Sequence, residues 1–228
     1  GSISLQLQIM RNKEENMKTK KFTTSQLTIL GLMAGILFLM AYTPLGYLNI
    51  GPLAVTFNVI PVAICAVVLG PTGGAVAGAV FGLTSFMQAI GIGGVSALGS
   101  ALFQINPFMT AVQCFGPRIL DGICIGFIYR AVHKKANTYV SCAVTGFFSA
   151  FLNTLFFMTA LIVMFGNTEL IRNLMGGHNI IVGCCLMVGV NAISEMVSST
   201  IITAAVGTAL SKAHLIPAVQ IVKTDTAA

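Results

Sequence analysis

The chain has 228 residues, of which 56% are apolar and only 8% charged, and its mean hydropathy is +0.90. A soluble domain carries about a quarter charged residues, so this composition excludes one; about six spans of roughly 20 residues with short loops use up the length. The net charge of +6 resides in basic residues at the ends and in one loop, where it reads as a membrane-orientation signal rather than a nucleic-acid surface.

The start, "GSISLQLQIMRNKEEN", is polar and lacks the apolar core of a signal peptide. Its Gly-Ser reads as an expression scar and Met17 as the native start. Residues 1–21 are thus expected to be tag and cytoplasmic segment, 22–212 a six-helix membrane domain, and 213–228 a cytoplasmic tail.

The first apolar run, Leu27 to Thr43, stops at Pro44 and is followed by the turn-rich "PLGYLNIGP". A second span from Leu53 to Leu69 breaks at "GPTGG", a tight turn made of strong helix breakers, and a third covers Ala75 to Ile90. The uncharged, glycine-rich "GIGGVSALGSALFQINP" is too broken for a span and too apolar for a free linker. It reads as a partly inserted outer loop, because irregular backbone survives at membrane depth only when buried in protein or lining a cavity. The fourth span runs from Phe108 to Val132, "HKKANT" forms a basic loop, and the fifth span runs from Tyr139 to Phe165. The polar connection "GNTELIRNLMGGHN" precedes a sixth span from Ile180 to Leu210.

Lysine and arginine placement sets the orientation. With the amino terminus in the cytoplasm, Lys18, Lys20 and Lys21, the cluster Arg130, His133, Lys134 and Lys135, and the carboxyl-terminal tail all fall inside; the outer loops hold only Arg172 among basic residues. The expected fold is an all-α integral membrane protein with six transmembrane helices and both termini cytoplasmic. Its longer, polar outer loops point to a site that opens outward.

No G-x-x-x-x-G-K-[ST] loop occurs, and the six cysteines, all in apolar runs, show no zinc or redox spacing, so no ATPase and no metal site is expected in this chain. The membrane interior holds three charged residues: Arg118 and Asp121, at i and i+3 on one helical face, and Glu195. A charge at the bilayer centre costs about 2.5–3.5 kcal/mol even on insertion scales, so each must face protein or a cavity. Two readings of the pair stay open: a structural ion pair, or an arginine whose spare donors meet an anionic ligand while the acid orients it. Glu195 could complete an Arg118–Asp121–Glu195 cluster as further ion-pair support. The candidate substrate-binding residues are Arg118, Asn153, Asn191, Asn106, Gln113 and Asn49, with Asn58, Gln88 and Gln104 as further polar positions of the kind that often only join helices. In the first span, Gly31, Ala34 and Gly35 form a small-residue face, with a G-x-x-x-G step that suits close approach of another helix.

The layout, and in particular "LGPTGGAVAGAVFGL" and "NPFMTAVQCFGPRILDGICIGFIYRAV", resembles the substrate-binding S components of energy-coupling factor (ECF) vitamin transporters, from about Phe22 to Leu210. Among these it is most similar to the pantothenate-type members. The resemblance implies a vitamin-binding subunit of a bacterial plasma-membrane importer, with a pocket built from spans four to six and the outer loops. It also implies partners: a transmembrane coupling protein and two cytoplasmic ATPases that use ATP and magnesium, this chain binding no cofactor itself. The S component is then thought to topple in the membrane, and its small-residue motif in the first span, usually Ala-x-x-x-Ala and here Gly31 and Gly35, contacts the coupling protein. Riboflavin, folate, and a stand-alone proton-coupled transporter using Asp121 or Glu195 remain as alternatives.

Overall fold

A computed structural model describes residues 24–43, 47–49, 54–94, 96–174 and 180–216; side chains at 47–49, 54–55, 180–188 and 190 lie outside that description. Residues 1–23, which include the expected tag segment, residues 217–228 and His178 therefore fall outside it. Helix α1 spans Thr24–Ala41, followed by strands β1 (Tyr47–Asn49) and β2 (Ala54–Thr56), helix α2 (Val59–Ala89), α3 (Ala97–Ile105), α4 (Pro107–His133), α5 (Thr138–Phe165), α6 (Glu169–Leu174) and α7 (Ile180–Lys212). Among the described residues, α1, α2, α4, α5 and the 191–212 part of α7 are long and apolar enough to cross a membrane. Their outer faces carry Leu39, Leu83, Phe127, Val163 and Ile201, exposed as lipid-facing side chains are.

The 31 residues of α2 do not form one straight rod. Gly70 takes φ 72° and ψ −161°, a left-handed conformation that a side chain disfavours, and Pro71 follows it. A Cβ built on Gly73 would lie 3.0 Å from Cys65 O, and one on Gly74 3.1 Å from Ala66 Cβ. Eight residues along a straight helix would separate such atoms by about 12 Å. The chain therefore reverses here, in the "GPTGG" turn, and α2 is two antiparallel arms, residues 59–69 and 71–89. The first arm is buried at every residue. Its all-round apolar sequence, "VIPVAICAVVL", suits a helix enclosed by others.

The first arm rises only about 16 Å, half a bilayer. The antiparallel pair β1–β2, in the register Tyr47↔Thr56, Leu48↔Val55 and Asn49↔Ala54, leads into it. Thr56 N donates to Glu195 Oε1 at 2.7 Å, and Glu195 lies midway along α7, so the hairpin reaches the middle of the bundle. The second span expected from Leu53 thus begins as strand. A short run such as "AVTF", with β-branched Val55 and Thr56 beside an aromatic residue, fits a strand as readily as a helix.

The segment expected as an inserted irregular loop is instead a turn plus helix α3. Gly91, Gly93 and Gly94 take positive φ, and then Ser96 caps the helix by accepting from Gly99 N at 3.1 Å. Leu102 buries against Leu161, Phe165 and Ile171, so α3 and α6 close over the end of α5. The irregular backbone that dips among the helices is the β1–β2 hairpin.

Helix α4 lies antiparallel to the second arm of α2 along a seam of small residues. Gly74 faces Gly122, Gly78 faces the Arg118 backbone, Gly82 faces Cys114, and Gly126 faces Pro71 at 2.5 Å from a built Cβ. Backbones approach this closely only where a Cβ is missing. Elsewhere, Gln88 Nε2 donates to Ala41 O at 2.6 Å and ties α1 to the second arm of α2. Helix α1 turns Ile29, Met33, Leu37 and Ala41 inward, leaving Gly31 and Gly35 exposed and Ala34 half-buried.

Candidate functional site

The seam fixes the depth of Arg118. Pro117 has no N–H, so the carbonyl four residues back, Gln113 O, loses its helical donor. Arg118 fills that vacancy: one terminal guanidinium nitrogen donates to Gln113 O at 2.8 Å. The side chain thereby turns back toward the start of α4. The guanidinium carbon lies 5.2 Å from the Phe81 ring centre and 5.0 Å from that of Phe157, between aromatic faces from α2 and α5. Both distances suit attraction between a cation and an aromatic ring. Arg118 Nε is buried and has no hydrogen-bond partner among the described residues.

Three polar stripes converge on this arginine. On α4, Gln113, Arg118 and Asp121 are all buried. Gln113 Nε2 donates to Phe157 O at 2.9 Å, while its Oε1 has no partner. On α5, Ser149, Asn153 and Phe157 stand one turn apart; Ser149 Oγ donates to Val59 O at 3.3 Å and is close enough to Asp121 to interact with it, and Asn153 Oδ1 has no partner. On α7, Asn191 and Glu195 are buried one turn apart, and Asn191 is engaged by another group. Arg118 is within Coulombic reach of both Asp121 and Glu195, so the three charges gather as one cluster. Within it, however, the guanidinium's hydrogen bond goes to a backbone carbonyl, and Asp121 Oδ1 is left without a partner.

Asn58 adds to this set. It precedes the first arm of α2, fully buried, with both Oδ1 and Nδ2 unpartnered. Its neighbours on either side are anchored to the site walls, Thr56 through Glu195 and Val59 through Ser149. Buried amides are normally satisfied, so a complete orphan beside a charge cluster marks a place where a polar ligand would be welcome. Asn106 stands apart: its Oδ1 accepts from Met109 N at 3.1 Å and caps α4. Asn49 pairs with Ala54 in the hairpin, and its side chain is outside the described residues.

Sequence reasoning did not single out Thr56 N, Ser149, Phe81 or Phe157, and it read Asn58 as a lesser packing polar. Two signals were available. Pro117 frees the Gln113 carbonyl beside a buried arginine, and Ser149, Asn153 and Phe157 recur every four residues on one face of α5.

In what it can do chemically, the cluster suits recognition of a polar or anionic ligand. It offers one cation with unspent donor capacity, unpartnered amide groups from three elements and two aromatic faces. Among the described residues no group of three or more histidine, cysteine or acidic side chains is placed to hold a metal ion.

Comparison with known proteins agrees with this architecture. Residues 25–207 match the family described as "ECF transporter, substrate-specific component". The chain is 33% identical over 204 residues to a pantothenate transporter PanT of Leuconostoc mesenteroides, an alignment covering 86% of this chain and 94% of that protein. It is 28% identical over 208 residues to a pantothenic acid transporter PanT of Lactococcus lactis, covering 86% and 98%. A multi-pass helical bundle with a buried polar cluster, matched along most of its length, the chain belongs to the substrate-specific components of ECF transporters.

Proposed function

We propose that this chain is the pantothenate-binding subunit of an ATP-driven ECF importer. The observation that carries the reading is Arg118, the one buried guanidinium among the described residues, held between Phe81 and Phe157 with Nε unspent. Pantothenate has one carboxylate, two hydroxyls and one amide. A guanidinium suits the carboxylate, and Asn58, Asn153, Asn191 and Gln113 offer neutral donors and acceptors for the rest. The names of the two PanT relatives support the same substrate.

In this reading the first arm of α2, together with the hairpin that leads into it, makes one crossing and the second arm another, giving six, and the basic clusters orient both ends to the cytoplasm. Helices α3 and α6 then lie outside, over the mouth of the site, and the β1–β2 hairpin dips from that side into the bundle. The chain binds no cofactor. Transport is driven by two partner ATPases that use ATP and magnesium, through a coupling protein that packs on Gly31, Ala34 and Gly35. Both glycines have open space for 4 Å around a built Cβ, as a docking face for a helix requires.

Isothermal titration of the purified chain with pantothenate, riboflavin and folate tests the substrate. Pantothenate alone should bind, and Arg118→Ala should weaken binding about 10–100-fold, the worth of a charged hydrogen bond of about 1.5–3 kcal/mol. Absence of pantothenate binding refutes the assignment. Vesicles containing only this chain should not accumulate the vitamin under a proton gradient; accumulation would make it a stand-alone carrier instead.

A further inference from the structure

The buried cluster is acid-rich, and its ligand under the reading above is itself an anion. From Phe22 to Tyr129 the only charged residues are Arg118 and Asp121, and from Asn179 to Ser211 the only one is Glu195. The groups facing Glu195 are countable by element. Helix α4 supplies Arg118, which Asp121 and the Cys114 thiol also neighbour. The hairpin supplies the Thr56 amide. The buried polar groups elsewhere around the cluster are uncharged: Ser149 and Asn153 on α5, and Asn58 ahead of α2. No lysine, histidine or second arginine lies within these spans.

With both acids ionised, the empty site would carry one positive and two negative charges. An isolated buried charge is costly enough that the group neutralises instead. Asp121 is the acid whose surroundings suit the neutral form: Oδ1 lacks any donor and the guanidinium hydrogen-bonds elsewhere. Arg118 and Glu195 then balance the empty site. A bound carboxylate upsets that balance, because two anions compete for a single guanidinium.

We infer that the vitamin anion enters together with a proton, which Glu195 takes up from water, so that the occupied site holds one ion pair between Arg118 and the ligand. The geometry of Glu195 suits the exchange. Oε1 goes on accepting from Thr56 N whether the carboxyl is charged or neutral, leaving the other oxygen to carry the proton. This inference rests on the pantothenate assignment. It adds a second bound species, the proton, and makes affinity depend on pH.

The test is titration of the full-length chain with pantothenate at neutral pH in phosphate and in Tris, buffers of very different ionisation enthalpy. The two apparent binding heats should differ by an amount corresponding to uptake of about one proton per ligand, and affinity should fall about tenfold per pH unit on the alkaline side. Glu195→Gln, a neutral isostere that still accepts from Thr56 N, should bind with equal heats in the two buffers and with no pH dependence. Asp121→Asn should retain the uptake. Equal heats for the unaltered protein, sodium-dependent binding without proton uptake, or an undiminished proton uptake in Glu195→Gln would each overturn the inference. Should Glu195→Gln fail to fold, the two-buffer measurement on the unaltered chain decides alone. Binding without proton uptake removes this inference only; no binding at all removes the substrate assignment and this inference with it.

Discussion

Replacing Gly78 by alanine should damage ligand binding although residue 78 carries no chemistry. A Cβ at that position would fall against Arg118 O, 2.8 Å from Arg118 C and 3.2 Å from Ile119 Cα. Carbon atoms rest about 3.5–4.0 Å apart, so the second arm of α2 and α4 must separate by about 1 Å. Overpacking of this kind costs about 1–3 kcal/mol. Each kcal/mol lowers the melting temperature of a chain this size by about 2–4 °C. The displaced backbone is that of Arg118 itself, so part of the cost should appear in the ligand's dissociation constant, weakened about tenfold for each 1.4 kcal/mol misdirected. Thermal unfolding and pantothenate titration on the same sample read both effects. The control is Gly35→Ala, where a Cβ meets nothing within 4 Å and helix propensity improves by up to about 1 kcal/mol; it should melt no lower and bind equally well. If Gly78→Ala matches the control in melting temperature and affinity, the seam does not position the arginine and the reasoning fails.

Other substitutions separate packing from recognition. Asn58→Leu should melt at the same temperature or higher, since it removes an unpartnered buried amide worth about 1–3 kcal/mol of desolvation, yet should bind pantothenate at least several-fold more weakly. Gln88→Leu should do the reverse: loss of the bond to Ala41 O lowers stability by about 1 kcal/mol and leaves the dissociation constant in place. A Gly31→Leu, Gly35→Leu double variant should fold and bind ligand normally but fail to support uptake when co-reconstituted with its coupling protein and ATPases; retained uptake would move the partner contact elsewhere.

Much of the bundle could be read from the sequence. The spans expected at 108–132 and 139–165 match α4 and α5 to within a residue at either end, because uninterrupted apolar runs bounded by polar loops leave little else for the backbone to do. The reversal at Gly70 was legible from "GPTGG". The hairpin was not, since "LAVTFNVIPV" has the hydrophobicity of a membrane helix throughout and only tertiary packing selects strand over helix. Helix α3 escaped notice because its glycines sit just before the Ser96 cap, and they obscured the amphipathic turns beyond it. In the site, Arg118, Asp121 and Glu195 stand out because a charge is anomalous in a chain this apolar. Their partners are of another kind. Thr56 N and Gln113 O are backbone groups, which no residue type announces, and Phe81 and Phe157 are two among 15 phenylalanines.

The spacing of the glycine seam carries a consequence for folding. Gly74, Gly78 and Gly82 repeat every four residues, and the α4 positions whose backbone they face, Gly122, Arg118 and Cys114, repeat at the same interval. Sliding one helix past the other by a turn, about 5.4 Å, would return most of the glycines to acceptable partners, so packing along the seam is nearly degenerate. What distinguishes the native alignment lies at its ends: the fold-back at Gly70–Pro71 stops one end against Gly126, and the guanidinium lodged between Phe81 and Phe157 holds the other. Arg118 thus acts as an indexing pin as well as the proposed ligand-binding group, and a chain that folded one turn out of register would keep its helices while misplacing the only buried cation among the described residues.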